Sequence, residues 1–113
     1  IQAINPSPYA YYLKFPGFSY VGSSPETFVQ CHDGRVMLKA LAGTRPRGAT
    51  SELDKQLEAE LRANEKELAE HKMLVDLGRN DLGRHCEVNS IQVGEVACVT
   101  RYTHVMHLAT ELT

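Results

Sequence analysis

At 113 residues, with 42% hydrophobic and 23% charged side chains, the chain has the composition of one globular domain that can bury a core without staples. Twelve basic residues against fourteen acidic ones leave a formal charge of −2. That excludes a generally basic protein that coats nucleic acid and confines any anion site to a local patch. No apolar run approaches the roughly 20 residues needed to cross a bilayer, and Ile1 to Pro6 has neither the charged nor the apolar region of a signal peptide.

The first 48 residues are rich in aromatic and β-branched side chains punctuated by Gly and Pro. Tyr9 to Phe15, Phe18 to Gly22, Thr27 to Cys31 and Arg35 to Leu41 read as four short strands. Pro16-Gly17 separates the first pair, and His32-Asp33-Gly34 carries the Asp-Gly signal of a tight hairpin between the last two. Residues 51–77 contain no Gly and no Pro and predict one helix of about seven turns. Ser51 and Asp54 have capping-box spacing, and Glu52, Asp54 and Glu58 suit the positive end of the dipole. Leu53, Leu57 and Leu61, then Leu68, Met73, Leu74 and Leu77, mark one apolar face, and Gly78 is the expected stop. Asp76 to Arg84 reads as a post-helix corner. Ile91 to Val93, Val96 to Val99 and Tyr102 to Leu108 then read as strands. The fold class expected is α+β, with a mostly antiparallel sheet and one long helix in a single domain, 1–113. Cys31, Cys86 and Cys98 form no C-x-x-C pair and complete no zinc spacing with the five histidines. They read as reduced, partly buried thiols of a cytoplasmic protein.

Three groups of residues could carry chemistry. Gly43-Thr44-Arg45-Pro46-Arg47-Gly48 falls between a strand and the helix. Its glycine, hydroxyl and two arginines suit either an anion site or a solvated, arginine-flanked turn. It is not a Walker loop, since the glycine spacing is wrong and no Lys-Ser/Thr follows. Glu70-His71 and Asp76, read as near the C-terminal end of the helix, place carboxylates against the dipole. They are either surface charges or oxygen ligands for a hard cation such as Mg²⁺. Glu70 and Asp76 stand about 240° apart around a helix, so they do not converge on one ion. His104 and His107 point to opposite faces of a strand, leaving one of them for a site or for a structural hydrogen bond.

Taken in order, Asn5-Pro6-Ser7-Pro8-Tyr9, Val21 to Glu26, Leu41 to Gly48, Glu70-His71 leading into Met73 to Arg84, and Arg101-Tyr102 through His104-Val105-Met106-His107-Leu108 resemble the anthranilate synthase component I family of chorismate-binding enzymes. The match runs through essentially the whole chain. The resemblance implies a partial chorismate-binding catalytic domain, a fragment of a lyase of tryptophan biosynthesis. That lyase converts chorismate and ammonia to anthranilate and pyruvate, with Mg²⁺ as cofactor and a glutamine amidotransferase subunit as the source of ammonia. It further implies Glu70 as a Mg²⁺ carboxylate, His107 as the histidine of the elimination chemistry, and Gly43 and Thr44 as the substrate loop. Asn5, Pro6, Ser7, Pro8 and Tyr9 would contact the family's feedback inhibitor, tryptophan. Ala10 stands where members often carry Met, and Asn89-Ser90 where relatives often carry Gly-Ser.

Ala42 stands where many aminodeoxychorismate synthases have a nucleophilic lysine, which favours free ammonia as the nucleophile over a covalent route through that sister enzyme. Isochorismate and salicylate synthases usually lack the Leu-Gly-Arg-Asn-Asp-Leu-Gly-Arg run and rank lower. The family's Gly-Ala-Pro-Lys helix start, its arginine for the second carboxylate and its further metal-binding glutamate are not found in the sequence. The expectation is therefore a chain inactive by itself. The alternative is a non-catalytic module of the same ancestry that binds an anion or self-associates, hiding exposed sheet edges as a homodimer or strand-swapped oligomer.

Overall fold

The computed structural model describes residues 7–113. It contains an isolated hairpin of β1 (Tyr9–Phe15) and β2 (Phe18–Ser24), and a four-stranded sheet backed by two helices. The sheet is built from β3 (Val29–His32), β4 (Arg35–Pro46), β5 (Cys98–Arg101) and β6 (Val105–Leu112) in the order β3-β4-β6-β5, every neighbouring pair antiparallel. The α+β class and the antiparallel pairing stand as the sequence predicts. Both hairpin turns follow from residue chemistry. Gly17 takes φ +85° in the Pro-Gly turn that pairs Phe15 with Phe18, while Asp33 and Gly34 take φ +48° and +75° between His32 and Arg35.

The single helix expected over 51–77 is two: α1 (Ser51–Ala63) and α2 (Glu65–Gly83). Asn64 separates them. Its backbone leaves helical geometry at φ −78°, ψ 106°, and its side chain accepts the Glu67 N–H at 3.0 Å, so it caps the second helix. The cap of α1 is Thr50, which accepts from Leu53 N–H at 3.2 Å, and not Ser51. Gly78 does not end the helix. It lies buried within α2, where an added Cβ would come 2.9 Å from Leu38 Cδ2, so sheet and helix meet closely there. The corner expected at 76–84 is accordingly the last turns of α2.

The core lies between the helices and one face of the sheet. Leu38 and Ala40 of β4 and Leu112 of β6 pack with Val75 and Leu82 of α2. Met106 and Leu108 pack with Leu61 of α1, flanked by Leu57 and Leu68. Along β6 the buried Met106, Leu108, Thr110 and Leu112 thus face the helices, and His107, Ala109 and Glu111 face the other way. β4 runs five residues past its expected end, and β6 begins three residues later than predicted and runs to Leu112. Of the expected strand 91–93 only Val93 pairs, in a single bridge to Leu112, and the strand expected at 96–99 is shifted to 98–101. Cys31 is exposed instead of partly buried; Cys86 and Cys98 are half-buried.

Candidate active site

The site begins with a register fault. Along β4 and β6, Ala40 opposes Thr110, Leu41 opposes Ala109 and Ala42 opposes Leu108. The next pair is Thr44 with His107, because Gly43 is an extra residue. Without that bulge Thr44 would fall opposite Met106 and point into the core; with it, Thr44 turns onto the face that carries His107. Gly43 takes φ +84°, and a Cβ there would approach Leu108 Cδ1 to 2.9 Å, so glycine is required twice over. The outcome is a hydrogen bond of 2.8 Å between Thr44 Oγ1 and His107 Nδ1. Thr44 is exposed and His107 half-buried on the open face of the sheet.

The two arginines beside this bulge are not available for an anion. Arg45 donates through Nε to Glu60 at 3.1 Å and through Nη1 to Glu67 at 3.2 Å, tying the end of β4 to both helices. Arg47 grips both oxygens of Asp54 at 2.8 Å and donates to the Tyr102 carbonyl at 2.7 Å. The arginine anion site considered from sequence is therefore a structural clamp. Within it the Arg47 guanidinium, with the Gly48 N–H second, holds the Asp54 carboxyl down to about 2.

Glu70 occupies the second turn of α2, not the C-terminal end. The dipole argument that singled it out therefore does not apply. Glu70 is exposed and forms no ion pair among the described residues. Asp76 is exposed in the middle of the same helix. Among the described residues no cluster of three or more His, Cys, Asp or Glu side chains could hold a metal ion. An unpaired carboxylate fits Mg²⁺ as one oxygen ligand of several. No hydrogen bond or ion pair among the described residues joins Glu70 to the Thr44–His107 pair.

Of the expected inhibitor segment, Asn5 and Pro6 lie outside the described residues. Ser7 donates to the Ser24 carbonyl and accepts from the Tyr9 N–H, and the exposed Tyr9 hydroxyl accepts from Thr27 Oγ1 at 2.6 Å. His104 is exposed in the bend before β6 and serves through its carbonyl, which accepts from Arg47 N–H at 3.0 Å.

Two further side chains stand out: His71, which enters the sequence reading only beside Glu70, and Tyr102, to which it gives no chemical role. His71 is fully buried and meets Thr110 Oγ1 through Nε2 at 2.7 Å, while Thr110 Oγ1 also accepts the Ala97 N–H. Burial pushes the His71 imidazole below its ordinary value; the Ala42 backbone acts the other way without closing a hydrogen bond on Nδ1. Tyr102 packs against the His107 ring at 5.5 Å and donates to Glu26. Burial first, then that carboxylate, drives its phenol far above the usual range.

The chorismate binding enzyme family matches residues 1–113. An anthranilate synthase component 1 from Acetivibrio thermocellus is 52% identical over 112 residues, covering 99% of this chain and 23% of that protein. Among solved structures, anthranilate synthase component I from Streptococcus pneumoniae superposes with a TM-score of 0.80 at 40% identity, over 98% of this chain and 23% of its own. The menaquinone-specific isochorismate synthase from Escherichia coli gives 0.67 at 28% identity, over 83% of this chain and 21% of its own. The chain thus spans about a quarter of the length of the relatives it matches, and its backbone is shared by enzymes of different reaction.

Proposed function

Because the chain belongs to the chorismate binding enzyme family, we propose that it supplies one wall of the active site of an anthranilate synthase component 1. The observation that carries this reading is the bulge at Gly43, which sets a threonine hydroxyl on a histidine ring at the open face of the sheet. With Nδ1 engaged by Thr44, the other ring nitrogen of His107 has no partner among the described residues and is free to hold or move a proton. In the proposed reaction ammonia adds to the chorismate ring, the ring hydroxyl departs as water and pyruvate is eliminated. His107 would protonate the departing hydroxyl or take up the ring proton released on aromatisation. The Gly43 bulge serves the substrate by turning Thr44 onto the open face, and the exposed Thr44 both orients the imidazole and offers a hydroxyl to a carboxylate. Glu70 would be one ligand of Mg²⁺, which when bound supplies positive charge against the substrate's ring carboxylate.

Ala42 offers no amine, which favours ammonia brought from elsewhere as the nucleophile and suits a glutamine amidotransferase partner. One unpaired carboxylate and one face of a sheet do not enclose a dianion, so the 113-residue chain by itself should not turn over chorismate. A soluble, cytoplasmic setting belongs to the same reading; no helix among the described residues is long and apolar enough to cross a membrane.

Product analysis tests the assignment. The matched segment of the Acetivibrio thermocellus relative is replaced by this chain, and the graft is given chorismate, Mg²⁺ and ammonium. Anthranilate and pyruvate in equal amounts are expected. Accumulation of isochorismate or an aminodeoxychorismate in their place would assign the segment to a different reaction.

A further inference from the structure

Tyr102 lies between β5 and β6 and is held at four points. Its N–H donates to the Val105 carbonyl at 2.8 Å, and its own carbonyl accepts from Arg47 Nη1 at 2.7 Å. Its hydroxyl donates to Glu26 Oε2. Its ring meets the His107 ring with centroids 5.5 Å apart and planes at 61°. The anchors are themselves fixed: Arg47 by both oxygens of Asp54, and Glu26 by Lys39 Nζ at 3.5 Å and the Thr27 N–H at 3.2 Å. His107 is therefore constrained from two directions, by Thr44 of β4 at Nδ1 and by an edge-type contact with the Tyr102 ring.

We infer that Tyr102, braced by Glu26 and Arg47, is a positioning residue that fixes the orientation of the His107 imidazole with its second nitrogen towards the open face of the sheet. The inference rests on the reading that His107 moves a proton in the reaction. Tyr102 itself touches no reacting atom in this scheme. It acts by removing ring rotations that would carry the proton-bearing nitrogen out of reach, and small misplacements of a catalytic group cost rate heavily.

Two measurements test it together. In the 113-residue chain labelled in its histidine rings, Tyr102→Leu should move the His107 ring signals towards those of free histidine, and Tyr102→Phe, which keeps the ring and loses only the hydroxyl bond to Glu26, should move them the same way by less. In the graft described above, Tyr102→Leu should lower kcat about ten- to a hundredfold while KM for chorismate stays within about twofold, and Tyr102→Phe should lose no more than about threefold. Glu26→Gln keeps the tyrosine and gives the decisive reading if Tyr102→Leu does not fold; it should shift the ring signals and lower kcat in the same direction by less. Unmoved His107 signals, or a kcat equal to wild type in both Tyr102→Leu and Glu26→Gln, overturns the inference. Full turnover by His107→Ala would instead overturn the reading beneath it. Loss of turnover in His107→Ala with no effect at Tyr102 or Glu26 overturns this inference alone.

Discussion

Asp54 does more for this fold than cap-position chemistry requires. It was singled out by its spacing from Ser51, yet the carboxylate turns back to receive Arg47 through two nitrogens and the Gly48 N–H. A folded-state value of about 2, below the ordinary 3.8, means that its stabilisation is complete above the ordinary value and is lost as pH falls towards 2. Asp54→Asn should therefore lower the melting temperature by a gap that is constant above about pH 5 and closes below about pH 3. Melting curves across that range check it, and a gap independent of pH would contradict it. Gly43 gives a second prediction. Gly43→Ala forces a Cβ onto positive φ and into Leu108, and should cost about 1–3 kcal/mol in urea unfolding. Neither role could be read from sequence. The Gly43-Thr44 pair was legible as a place where backbone is approached closely, but the bulge is defined only against β6, whose register is a long-range fact. The arginines leave two readings open in sequence because their partners Glu60, Glu67 and Asp54 lie on helices whose placement the local sequence does not give.

At the scale of elements, the helical region shows which signals carry across a break and which do not. Leu61 and Leu68 are seven apart, so the apolar stripe passes through Asn64 without losing phase. The absence of Gly and Pro strengthened the impression of one helix. The available counter-signal was Asn64 followed three residues later by Glu67, the pattern of an N-cap. Asn64→Ala should cost about 1 kcal/mol by denying α2 its cap, measured as a lower urea midpoint with an unchanged slope. An unchanged midpoint would mean that packing of Leu61 and Leu68 alone holds the break. Gly78 misled in the opposite direction, because a helical glycine that lets Leu38 approach looks the same in sequence as a stop. The break at Asn64 places Glu70 in the second turn of α2, and the end at Gly83 takes it away from the C-terminus. Its candidacy therefore rests on the family resemblance and on its lack of an ion-pair partner, not on the dipole. The hairpin turns, by contrast, were legible because Pro-Gly and Asp-Gly impose their backbone locally.

Across the whole molecule, the sheet is covered on its helix side and lightly covered on the other. The β1–β2 hairpin leaves Tyr11, Tyr12, Phe15, Phe18 and Tyr20 exposed, with Phe15, Phe18 and Tyr20 clustered at ring distances of 5.1–6.1 Å. A contiguous apolar surface of this kind favours association. The isolated chain at high concentration should scatter light as a dimer or larger, and a strictly monomeric chain would count against a self-associating surface. The site has the same one-sided character: the Thr44–His107 pair lies on the open face of the sheet and Glu70 on α2, which packs on the other face, so a further wall is needed to enclose a substrate. Anthranilate fluorescence, recorded side by side for the isolated 113-residue chain and for the graft in the Acetivibrio thermocellus relative, tests this most directly. With chorismate, Mg²⁺ and ammonium, the isolated chain should stay dark and the graft should turn over. Turnover by the isolated chain, or a folded graft that makes no anthranilate, would contradict the account.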